Sequence, residues 1–148
     1  VTSDCPLIDG NLVADAVRQY LALDDELVYL SNVIQRTYPR GFDFEIFSFA
    51  LLAEAYHKAH NLADMEHVTP YINQQKIPDT KLVHFTRTTD ASNYRLTVDT
   101  PEDLKLIRKL IEEHEAQHLT AEEIIGLMEK RPELNEVNAH VEQKKLEE

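Results

Sequence analysis

The chain has 148 residues, of which 43% are hydrophobic, and its formal net charge at pH 7 is −12. This length is enough for one domain with a buried core, whereas so negative a charge disfavours binding to the phosphate backbone of a nucleic acid. No apolar run approaches the roughly 20 residues that a membrane-spanning helix needs, and the single cysteine excludes an internal disulfide, so we expect a cytoplasmic protein that binds neither a membrane nor nucleic acid.

The amino-terminal stretch V-T-S-D-C-P-L-I-D-G predicts a strand over residues 1–3 that ends just before Asp4. A strand so short buries almost nothing, and we therefore expect the domain to begin upstream of Val1. Asp9 is placed to cap a helix, because its side chain can accept hydrogen bonds from the first free backbone N–H groups. The residues that would face a core at helical spacing are Leu12, Val13, Ala16, Val17, Tyr20 and Leu21.

Two strands joined by a turn are predicted next. Residues 27–34 are rich in Val, Leu, Ile and Tyr, as buried strands are. In the turn 38–41, Gly41 can adopt a positive φ. The segment F-D-F-E-I-F then alternates, so its apolar side chains share one face while Asp43 and Glu45 share the other. The apolar side chains are those of Phe42, Phe44 and Ile46.

The middle of the chain predicts two helices and two more strands. One helix runs over residues 48–60, and the next begins at Asp64 and is interrupted by Pro70, which lacks a backbone N–H. The strands are predicted over residues 81–87 and 94–99.

Helices dominate the rest of the sequence. The segment T-P-E-D begins a helix at Thr100, with proline at the first position and acids in the first turn, and T-A-E-E begins another at Thr120. Residues 131–148 predict a short helix and a charged tail. The alternation of strands and helices before this region favours an α/β fold. We therefore divide the chain into a domain over residues 1–113 and a helical extension over residues 114–148.

Two aspartates are candidates for a cation site. Asp4 and Asp99 each follow a predicted strand and precede a helix. In open α/β sheets, ligands bind beyond the carboxyl ends of the strands, so the two carboxylates could converge on a hard cation. The alternative is that Asp4 is a turn residue and that Asp99 adds negative charge near a helix N-terminus.

A second acidic pair lies on one face of a predicted strand. Asp43 and Glu45 could carry out acid–base chemistry, and Arg40 nearby favours a polar site. Such a pair is otherwise the solvated face of an amphipathic strand. Glu66 and His67, at a predicted helix start, are equally ambiguous by themselves.

The segment H-E-A-Q-H, residues 114–118, matches the zinc metalloprotease pattern H-E-x-x-H. The chemistry requires both histidines on one helix face, Glu115 as general base, and a third ligand. His114 and His118 would continue the apolar face that ends at Ile111. However, the segment is rich in Glu, a helix cap follows two residues later, and no third ligand has the required spacing. A zinc peptidase is therefore a minor alternative.

Four segments, taken in order, carry a resemblance to a known family. They are T-S-D-C-P-L-I-D, Y-L-S-N-V-I-Q-R-T-Y-P-R-G-F-D-F-E-I-F-S, M-E-H-V-T-P-Y-I and L-T-V-D-T-P-E-D-L. Together they closely resemble the SpsF-type cytidylyltransferases of spore coat polysaccharide biosynthesis, which are relatives of the KDO and acylneuraminate cytidylyltransferases. The resemblance runs from Val1 to about Ile111, and N-A-H-V-E-Q-K near the end is similar to a tail of some members.

The resemblance implies a Rossmann-like, GT-A-like nucleotidyltransferase fold with a mixed sheet. In such enzymes a sugar hydroxyl attacks the α-phosphorus of CTP, giving pyrophosphate and a CMP-sugar for surface polysaccharide. It also implies Mg²⁺ held by Asp4 of D-C-P-L and Asp99 of V-D-T-P-E-D, where the cation neutralises developing charge. The residues that it implies for an acidic or amino sugar are Tyr38, Arg40, Asp43, Glu45, Glu66 and His67.

The family's CTP-binding signature is not in this sequence. That signature is an Arg-containing loop upstream of D-C-P-L, so the resemblance covers only the C-terminal part of the family's domain, and residues 1–3 would be the tail of a strand. We expect the chain alone to be inactive and its open sheet edge to pair in a homodimer. The alternative is a non-catalytic dimerisation or interaction module.

Overall fold

The described residues include a mixed three-stranded sheet. The computed structural model describes residues 1–59 and 69–142. The strands are β1 (Val28–Ser31), β2 (Glu45–Phe47) and β3 (Lys81–His84), in the order β2-β1-β3. β1 pairs antiparallel with β2 and parallel with β3, so that Leu30 faces Ile46 on one side and Val83 on the other. The α/β class predicted from the sequence is confirmed.

Four of the described helices begin where the sequence predicted a cap or a helix start. The described helices are α1 (Gly10–Ala22), α2 (Phe49–Lys58), α3 (Pro70–Asn73), α4 (Pro101–His114), α5 (Ala121–Lys130), α6 (Pro132–Asn135) and a 3₁₀ turn (Ala116–His118). Asp9, Ser48, Thr100 and Thr120 each accept hydrogen bonds from backbone N–H groups of the first turn. Thr100 and Thr120 form complete capping boxes. Among the described residues, no helix combines the length and apolar character needed to cross a membrane.

Two predicted strands are wrong. Residues 1–4 contain no strand, and the N–H of Cys5 donates to the carbonyl of Thr2, which closes a turn over residues 2–5. Residues 94–99 form only an isolated bridge between Arg95 and Arg40. The reason is that their backbone groups bond to two different irregular segments, one around Arg40 and one at Asp4, so no continuous ladder can form.

The apolar faces of the long helices also differ in part from the prediction. Ala16 of α1 is completely buried, but Val17 and Leu21 are exposed. On α4, Leu106 is buried while Leu104 is exposed. The buried stripe of each helix is therefore narrower than its apolar spacing suggested, because only the side facing a neighbouring element is covered.

The main buried cluster joins the two ends of the described chain. It contains Leu7, Phe42 and Leu96 together with side chains of the C-terminal helices. Those side chains are Leu106, Ile107, Leu110, Ala116, Ala121, Ile124, Ile125, Met128 and Leu134. The domain boundary at residue 113 stays a prediction, but the described residues beyond it pack into the same cluster as those before it.

Candidate active site

Asp4 is anchored against the segment that leads to Asp99. The backbone carbonyl of Asp4 accepts a hydrogen bond of 2.9 Å from the N–H of Val98. The hydroxyl of Thr97 lies 3.0 Å from both this carbonyl and Oδ2 of the Asp4 carboxylate. Burial acts to raise the pKa of Asp4, but hydrogen bonds from the side chains of Thr2 and Thr97 outweigh it and lower the pKa. Asp4 therefore remains ionised near neutral pH.

Asp99 lies just before the first turn of α4. Its carboxylate Oδ2 accepts a hydrogen bond of 2.6 Å from Nη2 of Arg95, and 45% of its side chain remains exposed. The two predicted metal ligands are thus on neighbouring segments, although neither follows a strand. What brings the segments together is the Val98–Asp4 hydrogen bond rather than the edge of a sheet.

A buried ionic network supports Asp99, and sequence reasoning missed it. Asp103 is completely buried and receives Nε and Nη2 of Arg95, each at 2.9 Å. Its Oδ2 also accepts the backbone N–H groups of Asp99 and Thr100 at 3.1 Å. Nδ2 of Asn138 donates to Oδ1 of Asp103 at 2.8 Å. The spacing of Arg95, Asp99 and Asp103 at intervals of four was a signal that they could meet around a helix start.

Gly41 lets the predicted sugar-binding turn approach this network. Its φ is +102°, and a Cβ built there would lie 2.3 Å from the backbone oxygen of Leu96. Two backbone hydrogen bonds hold the two segments together. The N–H of Leu96 donates to the carbonyl of Arg40 at 2.7 Å, and the N–H of Arg40 donates to the carbonyl of Tyr94 at 3.2 Å. Burial lowers the pKa of Arg40, and the charges of Arg36 and Arg95 add to this effect, while Asp43 and Asp99 oppose it.

Asp43 and Glu45 line a pocket of about 380 Å³. Asp43 forms a fork with Arg36, in which Nη1 and Nη2 donate to Oδ1 at 2.7 Å and to Oδ2 at 2.9 Å. The side-chain amide of Asn32 holds the backbone on both sides of Asp43. Its Nδ2 donates to the carbonyl of Phe42 at 2.7 Å, and its Oδ1 accepts from the N–H of Phe44 at 3.0 Å. Asp43 is therefore held in an ion pair with Arg36, a partner that sequence reasoning did not find.

Glu45 has a different environment in the same pocket. Its Oε1 accepts hydrogen bonds from the hydroxyls of Tyr29 and, at 2.9 Å, Thr69. Burial, together with the bond to Glu45, raises the pKa of Tyr29, so Tyr29 stays a donor. Because both donors bind Oε1, Glu45 is held as an oriented acceptor at the pocket wall.

The other predicted sugar-side residues are not gathered in this pocket. Tyr38 is buried and its ring stacks on Phe85, 6.0 Å between centroids. Arg40 lines a separate pocket of about 140 Å³ with Arg95 and Asn138. Glu66 and His67 lie outside the described residues, so their predicted roles stay predictions.

Cys5, next to Asp4 in the chain, is buried. Burial raises the pKa of its thiol, and the negative charges of Asp4 and Asp43 act in the same direction. The backbone of Asp43 and the side chain of Thr2 act in the opposite direction and do not outweigh burial. This environment does not favour a reactive thiolate at Cys5.

The zinc peptidase alternative is wrong in its geometry. Helix α4 ends at His114, and Glu115 adopts a left-handed conformation with φ 51°. His118 belongs to the following 3₁₀ turn, so the two histidines do not share a helix face as zinc ligation by H-E-x-x-H requires. The Thr120 cap, which starts a new helix immediately afterwards, explains why the helix cannot continue.

The donor set at Asp4 and Asp99 fits Mg²⁺ bound together with a nucleotide. Mg²⁺ is commonly held by one or two carboxylates, with substrate phosphates and waters completing its coordination. Within residues 1–59 and 69–142, no three His, Cys, Asp or Glu side chains gather to hold a metal ion by themselves. A site made only of protein ligands is therefore not a fit among these residues.

Comparisons with known proteins find relatives of this chain in sequence. The chain is 29% identical over 139 residues to the spore coat polysaccharide biosynthesis protein SpsF of Bacillus subtilis, covering 90% of this chain. It is 29% identical over 151 residues to an uncharacterized protein of Methanocaldococcus jannaschii, covering all of this chain. No family profile matches the chain.

A solved structure is similar to this chain in fold. A cytidylyltransferase from Leptospira borgpetersenii superposes with a TM-score of 0.85 and 28% identity over 98% of this chain. The chain spans 59% of that protein, 59% of the Methanocaldococcus protein and 55% of SpsF.

Proposed function

We propose that this chain carries the metal- and sugar-binding half of an enzyme that transfers CMP from CTP to a sugar, because it is similar in sequence to SpsF and in fold to a solved cytidylyltransferase. The observation that supports this most directly is the placement of Asp4 and Asp99 on segments joined by the Val98–Asp4 hydrogen bond. The half-exposed carboxylate of Asp99 is available to a cation, which would in turn bind the nucleotide phosphates.

In the proposed reaction, a sugar hydroxyl oxygen bonds to the α-phosphorus of CTP while the bond from that phosphorus to the bridging oxygen breaks. Pyrophosphate leaves, and the hydroxyl proton passes to a base or to water. Mg²⁺ at Asp4 and Asp99 would supply neutralisation of the charge on the phosphoryl oxygens. The chain's own contribution is to hold the two carboxylates on neighbouring segments, Asp4 through Thr97 and Asp99 through Arg95.

The sugar would occupy the pocket of about 380 Å³ that Arg36, Asp43 and Glu45 line. Glu45 accepts a hydrogen bond from a sugar hydroxyl or a charged amine, because Tyr29 and Thr69 already orient its carboxylate. The carboxylates of Asp43 and Glu45 and the guanidinium of Arg36 on the wall of this pocket support an acidic or amino sugar as the acceptor, for surface polysaccharide synthesis of the kind that the name of SpsF describes.

The experiment is a titration of the chain with Mn²⁺, a spectroscopically visible substitute for Mg²⁺, with and without CTP. Asp99→Asn and Asp4→Asn are expected to weaken Mn²⁺ binding by at least about tenfold, since each removes a carboxylate ligand. Asp15→Asn, an exposed acid on α1, is the matched control and should leave binding unchanged. Equal Mn²⁺ affinity in Asp99→Asn and the control contradicts the proposed site.

Turnover is a separate expectation. We expect no CTP turnover by this chain, because the Arg-containing loop that binds CTP in the family is not among its residues. Release of pyrophosphate from CTP in the presence of acidic or amino sugars would contradict this part of the proposal.

The second candidate function is a dimerisation module. Phe49 and Tyr56 of α2 are 81% and 80% exposed, and their spacing of seven residues places them on one side of the helix. A second copy of the chain is the partner we propose, in a homodimer. Sedimentation of wild type and of a Phe49→Ser, Tyr56→Ser double variant tests it, and a wild-type monomer at high concentration rules it out.

A further inference from the structure

The C-terminal segment reaches the candidate metal site through one buried side chain, that of Asn138. Only 1% of Asn138 is exposed. Its Nδ2 donates to the backbone carbonyl of Arg95 at 2.9 Å and to Oδ1 of Asp103 at 2.8 Å. Because both acceptors take hydrogens, the amide orientation is determined by these two contacts.

The contacts place Asn138 behind the ion pair that holds Asp99. Arg95 donates through Nη2 to both Asp103 and Asp99, so any rotation of its guanidinium moves the Asp99 partner. Asp103 is completely buried and cannot move toward solvent. Asn138 contacts the backbone of Arg95 and the side chain of Asp103, and therefore braces this ion pair.

The core supplies the anchor for this brace. Leu134 of α6 is fully buried in the main cluster, and Val137 packs against the same cluster. The turn that follows is closed by the N–H of Val141 donating to the carbonyl of Asn138 at 2.9 Å. Asn138 is thus held by apolar packing on one side and by its own turn on the other.

The chemistry of Asn138 suits positioning better than stability. Within the described residues, its Oδ1 is buried and has no hydrogen-bond partner. A buried acceptor without a partner is unfavourable, so this oxygen does not explain why an asparagine stands at this position. The two donated hydrogen bonds are what the asparagine provides and an apolar residue does not.

We propose that Asn138 is a positioning residue that sets the place of Arg95 and, through Arg95, the direction of the Asp99 carboxylate. The part of this inference that concerns metal affinity rests on the proposed function. The part that concerns Arg95 and Asp99 themselves does not, because it follows from contacts within the chain.

The test uses Asn138→Leu, which keeps the approximate shape of the side chain and removes both donors. Asn135→Ala is the matched control, because Asn135 lines the same small pocket and belongs to the same segment. Three measurements are made on each protein: hydrogen exchange of the Arg95 Nε–H by NMR, the ¹³C shift of the Asp99 carboxyl, and Mn²⁺ affinity. Thermal unfolding is measured alongside to detect changes in stability.

In Asn138→Leu we expect the Arg95 Nε–H to exchange at least about tenfold faster and the Asp99 carboxyl shift to move, with an unfolding temperature close to wild type. Mn²⁺ affinity should fall by about 10- to 100-fold, the range seen when a residue that orients a metal ligand is lost. If Asn138→Leu does not fold, Asn138→Ser is measured in the same way.

Unchanged Arg95 exchange and an unchanged Asp99 shift in the folded variant overturn the proposal. So does a loss of Mn²⁺ affinity no larger than in Asn135→Ala. If wild type binds no Mn²⁺, the proposed function loses its metal site, and the two NMR measurements by themselves then decide whether Asn138 positions Arg95 and Asp99.

Discussion

The carboxylate of Asp9 accepts hydrogen bonds from the first residues of two helices, α1 and α5. Oδ1 of Asp9 accepts the N–H groups of Asn11 and Leu12 at the start of α1. Oδ2 accepts the N–H of Ala121, the first residue of α5, at 2.8 Å. Asp9 and Ala121 are 112 positions apart in the chain, and the two helix starts therefore share one carboxylate at their positive ends.

Asp9→Ala should lower the free energy of unfolding by more than a single cap normally contributes. One cap is worth about 0.5–2 kcal/mol, and this change removes partners from two helices. Urea unfolding followed by circular dichroism measures the loss. Asp15→Ala, an exposed acid on the same helix paired only with Arg18 in this structure, is the control. A loss no greater than in the control would show that the shared cap is unimportant.

Gly41→Ala should destabilise the protein strongly. The Cβ would overlap the backbone of Leu96, which cannot move away as a flexible side chain can, and the φ of +102° is already unfavourable for alanine. We expect a loss of at least about 2 kcal/mol in unfolding free energy.

Gly126→Ala is the matched control for this prediction. Gly126 lies within α5 and has open space where a Cβ would be. Alanine should be neutral there or stabilise the helix by up to about 1 kcal/mol. Chemical denaturation of both variants measures the difference, and equal stabilities would contradict the close approach of the two segments.

Acid should destabilise the protein through Asp103. Burial acts to raise the pKa of this carboxyl, but Arg95, Asn138 and the backbone N–H of Asp99 outweigh it and lower the pKa. The folded state therefore holds this proton more weakly than the unfolded state. The stabilisation is complete above the ordinary aspartate pKa of about 3.9 and is lost as the pH falls through the lower folded pKa.

Unfolding free energies measured by denaturant titration from pH 6 down to about pH 2.5 test this dependence. Asp103→Asn should be less stable than wild type at pH 6, and its stability should change less with pH across the acid range. An identical slope in the two proteins would assign the acid sensitivity to other carboxyl groups.

The H-E-A-Q-H segment should bind no zinc. The left-handed Glu115 separates His114 from His118, so neither the shared face nor the third ligand that zinc requires is present in the described residues. Elemental analysis of purified protein should give less than stoichiometric zinc, with no change in His114→Ala. Stoichiometric zinc that disappears in this variant would contradict the prediction.

Local sequence determined the helix starts because capping is a local interaction. Asp9, Ser48, Thr100 and Thr120 each bond to N–H groups within three residues, so a short motif contains both partners. The resemblance to the cytidylyltransferases was also readable from short segments. The candidate ligands Asp4 and Asp99 were predicted from their positions after predicted strands, Asp43 and Glu45 were predicted from the alternation in their segment, and the resemblance implied the same residues.

Only the tertiary structure decided how those residues are arranged. Residues 94–99 have the composition of a strand, but the approach of Gly41 and the bond from Val98 to Asp4 divide their backbone between two partners. The brace on Arg95 comes from Asn138, 43 positions along the chain, at a distance where no local pattern relates the two. Sequence periodicity reports which side chains an element can bury, whereas the choice of partner depends on contacts between distant segments that form only when the core is packed.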